Sequence, residues 1–153
     1  LIHIMNLFDT VSEDLKKAMK AKDKIALQTL RNVKKAFIEA KTQTGASDIL
    51  ADEEALRIIQ KLVKQGKDSA AIYEEQNRTD LAEEELAQVK VLEQYLPKQM
   101  GTDELKNELE ILVKELNATS MKDMGKVMGL ATQKFAGKAE GKLISQIVRE
   151  LLS

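Results

Sequence analysis

The 153-residue sequence contains no cysteine and no tryptophan, and it has one proline and one histidine. Without cysteine the chain can form neither a disulfide nor a thiolate zinc site, as is typical of proteins in a reducing compartment, so we expect a cytoplasmic protein. Aromatic residues make up only 3% of the chain, so its core must be aliphatic, which favours packed helices. No apolar run approaches membrane-spanning length, and we expect no membrane partner.

The single histidine, His3, lies in a segment that looks foreign to the rest of the chain. A plausible start, Met5-Asn6-Leu7, follows it, so we interpret residues 1–4 as vector-derived. Without His3 the chain has no imidazole to serve as a base or a metal ligand. We therefore expect no metal and no cofactor.

The residues with reactive side chains form no catalytic arrangement. The carboxylates of residues 83–85 are adjacent on a helix, point about 100° apart and cannot converge on one ion. Lys67 and Ser69 face away from each other in the same way, and no glycine-rich loop is present to bind phosphate. The sequence thus predicts a protein without a catalytic site.

Apolar periodicity predicts an all-α, multihelical fold. Residues 97–101 contain the only proline and a glycine close behind it, which indicates a boundary. We predict an N-terminal four-helix subdomain over 5–98 and a C-terminal three-helix subdomain over 99–153.

Several local features of these helices follow from the pattern. Met19 or a neighbouring residue and Ile38 are predicted to face inward, and Gly66 is predicted at a close contact between helices. The fourth helix would be capped by Asp80, with Glu83 completing a capping box. Helix caps are also predicted at Asn6 or Asp9, Thr102 and Ser120, a turn at 20–23, a loop at 45–50 and a left-handed helix end at Gly137.

Charge is segregated along a chain whose net charge is only −1. Residues 1–49 and 120–153 each carry +3, whereas residues 50–99 carry −4 and residues 100–119 carry −3. Solvated helix faces would account for this pattern. The alternative is that the basic C-terminal stretch faces a polyanion while the acidic middle keeps the protein soluble.

The C-terminal stretch contains the candidate site. Gly125 and Gly129 form a GxxxG spacing in a predicted helix. Close packing against a neighbouring helix would explain the spacing, and close approach of an RNA backbone is the alternative. The candidate phosphate contacts are the lysines on the polar side of the two last helices, or between them: Lys122, Lys126, Lys134, Lys138 and Lys142. Lys134 also has a structural explanation, because a lysine near a helix C-terminus complements the helix dipole.

Three motifs resemble the YqeY family. They are Asp14 to Lys20, Tyr95 to Met100, and a C-terminal signature of Met124 to Gly129, Gly137 to Ala139 and Gly141-Lys142. The C-terminal part is also similar to the tail domain of GatB, a subunit of the tRNA-dependent amidotransferase.

The resemblance implies a label of carbon–nitrogen ligase with glutamine as amido-nitrogen donor, and a tail that engages tRNA outside the active site. The residues that match the GatB tail are Gly125, Met128, Gly137, Lys138 and Ala139. Glu140-Gly141 departs from the Asn-Pro expected in GatB tails and matches YqeY proteins instead.

We therefore predict a non-catalytic tRNA-binding accessory protein of bacteria, related to the tRNA-dependent amidotransferase. Its partners would be tRNA, bound weakly, and an aminoacyl-tRNA synthetase or amidotransferase component. The alternative is a protein–protein adaptor that does not bind RNA.

Overall fold

A computed structural model describes residues 6–43 and 49–153 of the chain. These residues form seven α-helices and one 3₁₀ turn, and no strand occurs among them, so the predicted all-α, multihelical fold is confirmed. The helices are α1 (Leu7–Ala21), α2 (Lys24–Gln43), α3 (Asp52–Glu75), α4 (Thr79–Glu93), α5 (Thr102–Glu115), α6 (Met124–Lys134) and α7 (Gly141–Leu152), with the 3₁₀ turn at Met121–Asp123. The chain divides into two compact units, the first ending at Leu96 and the second running from Pro97 to Ser153.

The first unit contains α1 to α4. The Asn6 side chain caps α1 by accepting a hydrogen bond of 2.8 Å from the backbone N–H of Asp9. At the predicted turn, Lys22 adopts a left-handed conformation with φ of 57° and reverses the chain into α2. The core is aliphatic apart from one phenylalanine, and its most deeply buried members are Val11, Val33, Phe37, Ala55 and Ile59.

Helices α3 and α4 approach each other closely at Gly66. A Cβ atom added to Gly66 would lie 2.7 Å from the Val89 Cγ2 atom, closer than packed atoms tolerate. The predicted close contact at this glycine is therefore present, and a larger residue fits only if the Val89 side chain or the helices shift.

Two predictions about the first unit are wrong. Asp80 is no N-cap, because α4 begins one residue earlier, at Thr79. The Asp80 carboxylate instead accepts hydrogen bonds of 3.2 and 3.1 Å from the Arg78 guanidinium, and these bonds lower the pKa of Asp80. Ile38 is 48% exposed rather than inward, because neighbouring residues occupy the core side of α2. On α1 the buried residue is Ala18, the neighbour of Met19, which is itself 53% exposed.

The second unit packs α5, α6 and α7 around its own core, whose members include Leu105, Leu109, Val127, Ile144 and Val148. Thr102 is the first residue of α5 and not its N-cap, because Gly101 occupies the N-cap position. The proposed leader 1–4, with His3, and most of the predicted loop at 45–50 lie outside the described residues.

Candidate nucleic-acid interface

The outer face of α6 carries Gly125 and Gly129, and both are exposed. A Cβ atom added to either glycine would meet no atom within 4 Å. Packing between the described helices of the second unit therefore does not explain the GxxxG spacing. The buried face of α6 is the opposite one, through Val127 and Ala131.

The 3₁₀ turn sets the start of α6. The Asp123 carboxylate accepts hydrogen bonds from the backbone N–H groups of Thr119, at 2.9 Å, and Ser120, at 3.4 Å. Lys122 lies in this turn and Lys126 in the first turns of α6, and both side chains are exposed. Neither lysine forms an ion pair within the described part of the chain.

The backbone carbonyls of the connection between α6 and α7 accept two hydrogen bonds from the segment before α5. Gly137 has φ of 73°, so the predicted left-handed residue is present after α6. The Gly137 carbonyl accepts a hydrogen bond of 2.6 Å from Gln99 Nε2, and the Lys138 carbonyl accepts one of 2.9 Å from the backbone N–H of Met100. The backbone of Lys138 is thereby fixed while its side chain stays exposed.

Lys134 differs from the other candidate lysines because it already has partners. Its Nζ atom lies 3.8 Å from a carboxylate oxygen of Glu108 on α5 and 5.7 Å from the centre of the Phe135 ring. Both contacts hold the last turn of α6, and they make Lys134 less available to an anion than Lys126 or Lys138.

Lys98 is a cation that the sequence analysis missed. It shares a cavity of about 410 Å³ with Lys134 and Lys138, since the hydrogen bonds of Gln99 and Met100 bring the segment before α5 to the α6–α7 turn. The motif from Tyr95 to Met100 was the available signal, but nothing in the sequence placed it beside residue 138. Glu104 and Glu108 also line the cavity, so its charge is mixed.

Lys142 is the second residue of α7, where a lysine is unfavourable to the helix dipole. Glu140 occupies the N-cap position without a side-chain hydrogen bond, and the first turn of α7 contains no acidic residue. The first backbone N–H groups of α7 therefore have no side-chain acceptor and lie next to a cation. Both features favour an anion at this helix end, whereas the Glu140 carboxylate at the N-cap opposes one.

Other kinds of site were sought in the same residues. Across 6–43 and 49–153, no three acidic or histidine side chains come together in a way that could hold a metal ion. No helix of these two stretches is both long and apolar enough to cross a membrane.

The fold and the site define a class: an all-α protein of two helical units whose second unit presents bare helix backbone beside exposed lysines. The family model described as "Yqey-like protein" matches residues 8–152. The chain therefore belongs to the YqeY family, as its motifs predicted.

Three relatives share the name "Altered inheritance of mitochondria protein 41, mitochondrial". The protein from Pyrenophora tritici-repentis is 32% identical over 143 residues, which cover 91% of this chain and 77% of the relative. That from Clavispora lusitaniae is 30% identical over 114 residues, covering 73% and 65%, and that from Kluyveromyces lactis is 37% identical over 89 residues, covering 56% and 45%. The chain thus spans between about half and three quarters of the length of these relatives. Their shared name states no ligand and no reaction, so tRNA binding stays a prediction.

These relatives correct the predicted location. They are named as mitochondrial proteins of fungi, which contradicts the cytoplasmic prediction and gives no support to a bacterial origin. The reasoning failed because a lack of cysteine indicates only that the chain has no disulfide. It does not distinguish one compartment from another.

Proposed function

We propose that this protein binds tRNA weakly and without catalysis, through a surface of its second unit that we call the tail surface. The tail surface consists of exposed residues of the 3₁₀ turn, of α6, of the α6–α7 connection and of the first turn of α7: Lys122, Gly125, Lys126, Gly129, Lys138 and Lys142. The role belongs to tRNA-dependent aminoacylation or amidation, with an aminoacyl-tRNA synthetase or an amidotransferase component as the protein partner.

The exposed glycines of α6 carry this proposal. Glycine within a helix is less favourable than alanine by about 1 kcal/mol, and a Cβ atom at position 125 or 129 would have free space around it. Among the described residues of the second unit, no packing contact at these glycines offsets this cost in helix propensity. The cost is understandable if another molecule comes close to the helix backbone at these positions, and Lys126 between them favours an anionic one.

The remaining lysines extend the preference for an anionic ligand along the tail surface. Lys138 is presented by a fixed backbone, and Lys142 lies beside the uncapped N–H groups of α7. No aromatic side chain is among the tail-surface residues, so stacking of unpaired bases has no platform. Recognition of folded RNA by shape and phosphate contacts fits this composition better.

The expected affinity is low because few cations are available. If about three lysines contact phosphates at once, the logarithm of the association constant should fall with the logarithm of salt concentration with a slope of about −2 to −3. We expect dissociation constants in the micromolar range or weaker at physiological salt, since the acidic middle of the chain opposes approach.

A titration of total tRNA at two salt concentrations, followed by filter binding, tests the proposal. Lys138→Glu combined with Lys142→Glu should abolish most binding while leaving the helix content intact, because both side chains are exposed. The matched control is Lys61→Glu combined with Lys106→Glu, which makes the same change of net charge at exposed positions on α3 and α5. Equal affinities of the two double variants, or no binding by the wild type at low salt, would refute the proposal.

One observation favours the adaptor alternative. Met121 and Leu130 are 45% and 42% exposed in the 3₁₀ turn and α6, and apolar side chains near a glycine row suit a partner helix better than phosphates. An adaptor predicts association with a protein that is nearly independent of salt and insensitive to the Lys138→Glu and Lys142→Glu changes. Salt-sensitive tRNA binding that these changes abolish would argue against it.

A further inference from the structure

The first unit carries a groove beside α2 that the tail surface does not explain. It consists of two hollows of about 310 and 300 Å³ along the same helix, and Arg31 lines both. We call it the α2 groove and define it by Leu15 of α1 together with five residues of α2: Leu27, Arg31, Lys34, Lys35 and Ile38. Together the hollows follow α2 from Lys24 to Glu39, roughly 22 Å or four helical turns.

The floor of the α2 groove is apolar. Nearly all of the accessible surface of the hollow beside Ile38 comes from carbon atoms, including those of Leu15 and of the lysine stems. Ile38 is 48% exposed, and Met19, one turn beyond Leu15 on α1, is 53% exposed.

The rim of the α2 groove is cationic. Lys24, Arg31, Lys34 and Lys35 line the two hollows, against a single carboxylate, that of Glu39. None of these four cations forms an ion pair with another residue in the part of the chain that the structure describes. The groove therefore combines unpaired positive charge with exposed apolar surface over one continuous length of helix.

We infer that the α2 groove is a docking site for an acidic amphipathic helix of a partner protein. Such a helix would place leucine- or isoleucine-like side chains at a spacing of three or four residues into the two hollows, and aspartate or glutamate beside Arg31, Lys34 and Lys35. Charge complementarity sets its orientation and speeds association, and burial of Leu15 and Ile38 contributes affinity.

The α2 groove suits a nucleic acid or an anionic lipid bilayer less well than an acidic helix. A nucleic acid would satisfy the cations but leave the apolar floor in water, and no aromatic side chain lines the groove for base stacking. A lipid bilayer contacts apolar groups that protrude, whereas Leu15 lies in a hollow between two helices. An amphipathic helix presents apolar side chains to the hollows and acidic side chains to the cations along the same length.

The experiment uses the full chain and a fluorescently labelled, 16-residue helical peptide. The peptide has leucine every third or fourth residue and glutamate at the flanking positions, and its control has glutamine in place of each glutamate. We expect the acidic peptide to bind with at least tenfold higher affinity than the neutral one, and amide chemical-shift changes to concentrate in α1 and α2.

Two variants and their matched controls locate the site. Arg31→Glu combined with Lys35→Glu should weaken binding of the acidic peptide about tenfold or more, whereas Lys61→Glu combined with Lys106→Glu should leave it within about twofold. Ile38→Gln should weaken it about threefold or more, whereas Ile111→Gln on α5, at the same 48% exposure, should not.

Three outcomes would overturn the inference. The first is equal binding of the acidic and neutral peptides, and the second is an Ile38→Gln variant that binds like wild type. The third is found in a parallel titration, if the Arg31→Glu and Lys35→Glu changes abolish binding of tRNA or of anionic vesicles but not binding of the peptide. Arg31 and Lys35 would then belong to a site for tRNA or for lipid.

Discussion

Replacement of Gly129 by alanine should make the protein more stable and a poorer RNA binder. Gly129 lies in the middle of α6 on its exposed face, and an added Cβ atom would meet nothing within 4 Å. The substitution therefore gains helix propensity without a clash, about 0.8–1 kcal/mol in the free energy of unfolding. For a unit of this size that corresponds to an increase in Tm of about 4–8 °C. Gly125 should give a smaller gain, because it lies in the first turn of α6.

The same methyl group should weaken tRNA binding if a phosphate backbone approaches α6 at Gly129. A displacement that costs about 1.4 kcal/mol lowers affinity tenfold, so we expect a loss of about three- to tenfold. Thermal unfolding followed by circular dichroism and filter binding measure the two effects on one sample.

The internal control is the same substitution at Gly66. There the new Cβ atom would lie 2.7 Å from Val89 Cγ2, so Gly66→Ala should destabilise the first unit by about 1–3 kcal/mol. A lower Tm for Gly129→Ala would show that the outer face of α6 is not open. A higher Tm with unchanged tRNA affinity would show that no RNA comes close to this helix.

Two further predictions concern stability. Tyr95→Phe removes the 2.6 Å hydrogen bond that the Tyr95 hydroxyl donates to Asp14, and should cost about 1–2 kcal/mol in urea unfolding. Burial and the hydrogen bond to Asp14 raise the pKa of Tyr95 in the folded state. Tyrosine in the unfolded chain ionises above about pH 10, so the stability of the wild type should fall as the pH rises beyond that value. The Tyr95→Phe variant should not show this loss of stability. Leu109→Ala should destabilise the second unit by about 3–5 kcal/mol, since Leu109 is fully buried, whereas Ile111→Ala on the same helix should change stability by less than about 1 kcal/mol.

The sequence predicted the helices well where periodicity and capping agreed. Asn6, Gly66 and Gly137 were each recognised from a local rule, and each plays the expected part. The caps at Asp80 and Thr102 were misplaced by one or two residues, since several polar residues near a helix start can serve equally well in sequence terms.

The candidate site could not be predicted in full, because apolar periodicity does not give the exposure of a residue or its neighbours in space. A GxxxG spacing predicts a close contact but does not say with which partner, and the open space around Gly125 and Gly129 shows that the other described helices of the second unit are not that partner. The exposure of Ile38 was missed because a helix of 20 residues can bury a narrower stripe than its apolar residues suggest. Lys98 was missed because its neighbourhood depends on hydrogen bonds between residues 38 positions apart.

The hydrogen bond from Tyr95 to Asp14 also bears on the order of folding. It joins residues 81 positions apart, at opposite ends of the first unit. The α1–α2 and α3–α4 hairpins consist of helices adjacent in sequence, so each can form early at a small loop-closure cost. The bond between Tyr95 and Asp14 forms only after nearly all of the first unit has been synthesised. Until α3 and α4 have been synthesised, the α1–α2 hairpin lacks the helices that it packs against, so we expect the nascent chain to be most prone to aggregation in this interval.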